Sequence, residues 1–105
     1  MGLFNMNKKP DINNIAEELK QHDQAVLLDV RTEQEYRSGH IPGSKNVPLD
    51  QLHRAKDVIK DMEAPVYVYC LSGGRSRMAA SILKRSGYEQ VKDLGGINRY
   101  RGKVV

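Results

Sequence analysis

The sequence has no tryptophan, one phenylalanine and one cysteine among its 105 residues. Without large aromatics, a core must be assembled from Val, Ile, Leu, Met and Tyr. A lone cysteine excludes an internal disulfide, and with it a stapled secreted scaffold. No run approaches the roughly 20 apolar residues that carry a helix across a bilayer. The opening Met1-Gly2-Leu3-Phe4-Asn5-Met6 lacks the charged start and apolar stretch of a secretory signal. Met6 also stands where a myristoylation signal wants Ser or Thr. These absences predict a cytoplasmic protein with no membrane partner. The net charge of +4 is spread among acidic neighbours, as in Lys56-Asp57 and Lys60-Asp61-Met62-Glu63. No recognition-helix or zinc pattern accompanies it, so no nucleic-acid partner is expected. The local cationic excess at Arg75 and Arg77, and at Arg99, Arg101 and Lys103, suits a small anionic substrate better.

The chain length allows one domain. Residues 1–10 are polar, end at Pro10 and read as a loose lead-in to a domain over 11–105. Asp11 is placed to cap a helix bearing Ile12, Ile15, Ala16 and Leu19. Ala25-Val26-Leu27-Leu28-Asp29-Val30 reads as a strand buried on both faces. Thr32, with Glu35 three residues on, forms a capping-box signature for a short helix ending near Gly39. His40 to Ser44 is turn-rich. Asn46-Val47-Pro48 predicts a short edge strand, and the spacing over 49–62 predicts a helix with Leu52, Val58, Ile59 and Met62 inward. Val66 to Tyr69 is a second strong strand. Ser76–Ser86 reads as a helix burying Ala79, Ala80, Ile82 and Leu83 and stopped by Gly87. Val91–Leu94 is a last strand. Strands alternating with helices predict an α/β fold with a parallel sheet of about four to five short strands layered by helices. Ligands of such sheets bind beyond the carboxyl ends of the strands, where Cys70 and Asp29-Val30-Arg31 both fall.

Cys70 ends an apolar strand and opens Leu71-Ser72-Gly73-Gly74-Arg75-Ser76. Glycines permit positive φ and close backbone approach. Backbone N–H groups, a helix start and the Arg75 guanidinium would all favour an ionised sulfur. Such surroundings lower a thiol from about 8.5 to roughly 3.5–7.5. The chemistry calls for no metal, no cofactor and no separate general base.

Leu27-Leu28-Asp29-Val30-Arg31, Glu35-Tyr36, Gly39-His40-Ile41-Pro42-Gly43-Ser44, Tyr69 to Ser76 and Gly95-Gly96 together resemble a single-domain rhodanese over most of residues 11–103. The resemblance implies a small α/β fold with a central parallel sheet and helices on both faces. It also implies a sulfurtransferase that takes a sulfane sulfur from thiosulfate or a persulfide and passes it to cyanide or a thiol. Position by position, Cys70 matches the nucleophile that becomes a persulfide. Leu71, Ser72, Gly73, Gly74, Arg75 and Ser76 match the substrate-binding loop, with Arg75 reading the donor's sulfonate. Asp29 and Arg31 match residues that brace the loop from the next strand end. Tyr100 stands near the place where many family members have tryptophan. An open loop would admit a protein acceptor such as a thioredoxin-like thiol, and a monomer is expected.

Blander readings stand beside these. Cys70 could be a buried core thiol, Arg75 and Arg77 ordinary surface cations, and Asp29 with Arg31 a structural ion pair. Ser76 suits helix capping, His40 structural hydrogen bonding, and His22 and His53 the solvated surface. Tyr67 and Tyr69 read as core. Two other functions compete. One is a non-catalytic rhodanese-like binding or regulatory module. The other is a phosphatase or arsenate reductase, whose related loops hold one more residue than the four between Cys70 and Arg75.

Overall fold

The computed structural model describes residues 11–105, so the proposed lead-in over 1–10 lies outside the described residues. Four parallel strands form one sheet in the order β2-β1-β3-β4. They are β1 (Val26–Asp29), β2 (Lys45–Asn46), β3 (Pro65–Cys70) and β4 (Gln90–Gly96). The α-helices are α1 (Ile15–Gln21), α2 (Glu33–Arg37) and α3 (Gly74–Arg85), with 3-10 segments at Ile12–Asn14, Leu49–Asp57 and Ile97–Arg99.

Side-chain alternation along the central strands splits the interior into two layers. Leu28, Val30, Val66, Val68 and Cys70 face Ala79, Ala80 and Leu83 of α3, with Leu52 and Ala55. Leu27, Tyr67 and Tyr69 face Ile12, Ile15, Ile41 and Leu94 on the other side. Burial on both faces explains why β1 and β3 read as continuous apolar runs. The α/β architecture expected from the sequence is therefore present.

Several boundaries differ from the sequence reading. Residues 49–62 are not one α-helix. Leu49–Asp57 is 3-10, kinked at Gln51, and the chain then turns through Asp61. The three-residue spacing of Leu52 and Ala55 suits three residues per turn. Met62 is 41% exposed, so it does not belong to the inner face. The edge strand is Lys45–Asn46 and ends before Pro48. Strand β4 runs on through Gly95 and Gly96, with a register shift opposite Val68 and Tyr69. Asp11 caps the first turn by accepting from the Asn13 N–H at 2.9 Å, and Thr32 and Glu35 form the capping box.

Candidate active site

The carboxyl end of β3 delivers Cys70 beneath the start of α3. The helix begins at Gly74, two residues earlier than the sequence suggests, and its N-cap is Gly73 at φ +118°. Gly73 turns the chain so sharply that the loop winds straight into the helix. Ser76 is consequently not the cap. It lies within the first turn, fully buried, and its hydroxyl donates back to the Gly73 carbonyl at 3.1 Å.

The sulfur sits inside this turn. The Gly73 N–H donates to Cys70 Sγ at 3.0 Å. Burial pushes the thiol up, and the opposing contacts outweigh it. The Ser76 hydroxyl and the Ser76, Gly73 and Ser72 amides bring it below its ordinary value. The Ser76 hydroxyl also lies 3.4 Å from the Gly95 carbonyl, which links the first turn of α3 to the end of β4. This arrangement favours the ionised sulfur over the thiol.

Cys70 is only 1% exposed, so the thiol is covered even though Leu71, Ser72 and Gly74 of the loop are exposed. Its side chain falls on the sheet face that α3 covers, so the loop closes over it. Leu71, by contrast, is 46% exposed at the rim. Strand β4 supplies the opposite wall. The Asn98 N–H donates to the Leu71 carbonyl at 3.1 Å. A Cβ on Gly96 would strike that same carbonyl oxygen and approach Ser72 Cα to 2.6 Å. Gly96 thus permits the loop's close approach, and Gly95 bends the strand end at φ +86°.

Arg75 does not fold over the sulfur. Its guanidinium points to α2 and grips Glu35 with two prongs, Nη1 to Oε1 at 2.7 Å and Nη2 to Oε2 at 3.0 Å. The Arg75 bonds, together with those from Thr32, hold the Glu35 carboxyl at about 2. Sequence reasoning assigned Glu35 to the capping box alone. Its second role depends on α2 meeting α3, which no local pattern reports. Arg77 is exposed, as expected for a solvated cation.

Asp29 and Arg31 form a buried ion pair, Nη2 to Oδ2 at 2.6 Å, with the Arg31 Nε–H on both carboxylate oxygens. They brace a different segment from the one expected. Arg31 donates to the Gly39 carbonyl at 2.7 Å and lies 5.7 Å from the Tyr69 ring centroid. Asn46 ties the Asp29 and Arg31 carbonyls to β2. The turn after α2 is held by the Ile41 N–H on the Tyr69 hydroxyl. His40 is structural. It stacks on Tyr36 at 3.7 Å, and its Nδ1 donates to the Tyr36 carbonyl. Tyr100 packs against the second layer, across the sheet from Cys70, and its hydroxyl donates to the Lys103 carbonyl. Tyr100 therefore bears on that layer and not on the sulfur's surroundings.

A parallel sheet with a thiol cradled by main-chain N–H groups at a strand end defines a class of anion-holding cysteine domains. Within that class, the rhodanese-like domain family matches residues 13–103, and the chain belongs to it. The chain is 41% identical over 81 residues to the uncharacterized protein YqhL of Bacillus subtilis, covering 76% of this chain and 64% of that one. It is 37% identical over 83 residues to the thiosulfate sulfurtransferase GlpE of Ectopseudomonas mendocina, covering 77% and 72%. A solved rhodanese with anions from E. coli superposes at a TM-score of 0.73 with 32% identity, over 77% of this chain and 96% of that one. The chain spans less than two thirds of YqhL, and 42% or less of three further relatives. Among the described residues, no helix is long and apolar enough to cross a membrane.

Proposed function

We propose that the protein is a sulfurtransferase working through a Cys70 persulfide. The observation that carries this reading is the Gly73 N–H on Cys70 Sγ at 3.0 Å, joined by the other loop donors that lower the thiol. An inert core thiol has no such donors. In the proposed reaction the Cys70 thiolate attacks the outer sulfur of thiosulfate. A new S–S bond forms, the bond to the sulfonate group breaks, and sulfite leaves with the electron pair. The terminal sulfur of Cys70–S–S⁻ then carries the charge that the loop amides are arranged to hold. Leu71 to Ser76 form the binding loop, Arg75 among them with its guanidinium held by Glu35, and Asp29 with Arg31 steadies the neighbouring strand end. With one cysteine in the chain, the persulfide is discharged by an external thiol or cyanide. A thioredoxin-like protein is one acceptor of suitable chemistry, and low-molecular-weight persulfides are alternative donors. We take the working form to be a monomer. The cytoplasm suits a lone nucleophilic cysteine.

A non-catalytic binding module is the second reading, favoured by the 1% exposure of Cys70. Mass spectrometry after thiosulfate treatment separates the two. A gain of about one sulfur atom on Cys70 is expected, followed by thiocyanate when cyanide is added. Cys70→Ser should abolish both while leaving the fold intact. No adduct and no thiocyanate from the unmodified protein would leave the binding module standing.

A further inference from the structure

We infer that Glu35 is a specificity-determining residue. By gripping Arg75 at the edge of the cysteine loop, it biases the site against dianionic sulfonate donors and toward persulfides that carry no sulfonate. The inference rests on the sulfurtransferase reading above and concerns which donor that site accepts.

A sulfonate is best read by two parallel N–H groups of a guanidinium. In this protein the Arg75 Nη1 and Nη2 already donate to a carboxylate, at 2.7 and 3.0 Å. Thiosulfate must displace that carboxylate or bind at the remaining N–H edges. Glu35 is poorly placed to yield. Its Oε1 also accepts the Thr32 N–H at 2.9 Å and the Thr32 hydroxyl at 3.1 Å, which anchors it to the first turn of α2. The pair is about a third exposed, with 35% of the Arg75 side chain and 30% of the Glu35 side chain accessible, so a donor arriving at the loop meets both charges. A dianion is repelled by the carboxylate and gains little from a cation already neutralised. A persulfide without a sulfonate needs neither contact, because its sulfane sulfur is met by the loop amides. With its carboxyl held at about 2, Glu35 stays ionised throughout the physiological range, so the bias is permanent and is not switched by pH.

Glu35→Gln removes the charge and keeps a side chain able to complete the capping box. The comparison is kcat/KM with thiosulfate against kcat/KM with 2-hydroxyethyl hydropersulfide, both with cyanide as acceptor. Losing one negative charge facing a dianion at contact range should raise the thiosulfate value by at least about fivefold. The hydropersulfide value should change by less than about twofold, since no sulfonate is involved. A fall with thiosulfate, or equal changes with both donors, overturns the inference and makes Glu35 a holder of Arg75 in its working place. A second arm needs no turnover: thiosulfate binding to Cys70→Ser is compared by calorimetry with binding to Cys70→Ser/Glu35→Gln. Tighter binding by the double variant supports the masking of Arg75, and equal affinity overturns it. If the unmodified protein forms no persulfide with either donor, the sulfurtransferase reading fails, while the binding arm still decides whether Glu35 masks the guanidinium.

Discussion

Two arginine–carboxylate pairs lie at the carboxyl end of the sheet, and they differ in almost everything but chemistry. Asp29 and Arg31 are sealed, with 0% and 5% of their side chains accessible, and Arg31 reaches on to the Gly39 carbonyl, tying the end of β1 to the turn after α2. Glu35 and Arg75 are about a third accessible, and they join two helices beside the thiol. In the sealed pair, removing either member strands a charge away from water. In the open pair, solvent screens the attraction, so the pair adds little stability and remains available to respond to a ligand. The same ion pair is thus a strut in one place and a competitor for substrate in the other, and burial decides which.

The largest expected effect tests the strut. Asp29→Ala should lose about 3–5 kcal/mol, because Arg31 is left buried and unpaired. Denaturant unfolding measures this directly, and a loss under about 1 kcal/mol would place the pair with ordinary surface bridges. Gly96→Ala comes next, because its new methyl meets the Leu71 carbonyl and Ser72. Overpacking of this kind costs about 1–3 kcal/mol. The displaced loop should also raise the Cys70 thiol, read as a shift in the ultraviolet titration of thiolate. A titration identical to that of the unmodified protein would mean that Gly96 does not set the loop's position. The smallest effect belongs to the open pair. Glu35→Gln should cost about 1 kcal/mol at neutral pH once screening is counted. The carboxyl is lowered from 4.5 to about 2 in the folded protein, so its contribution is complete above 4.5 and disappears as pH falls through about 2. The stability gap between the two proteins should close over that interval. A gap that persists at pH 2 would assign it to packing or capping instead of charge.

The sequence made the sheet legible because buried strands advertise themselves as apolar runs, and β1 and β3 are of that kind. The capping box was also legible, since Thr32 and Glu35 interact across a single turn. Other features escaped because they depend on distant partners. Serine is a common cap residue, so the pattern points to a helix start at Ser76, whereas Gly73 caps α3 through a positive φ that suits the loop. The 49–62 pattern fitted an α-helix on paper, yet a three-residue spacing over a short, proline-led segment folded as 3-10. Cys70, its loop and Arg75 were visible from order along the chain. The destination of the Arg75 side chain was not, because Glu35 lies 40 residues away and meets it only when α2 and α3 come together.

The join between loop and helix carries a consequence for how the sulfur is held. Gly73 feeds directly into α3, so the amides that surround Cys70 and those that begin the helix form one continuous ribbon. Whatever steadies that end of α3 therefore also steadies the surroundings of the thiol.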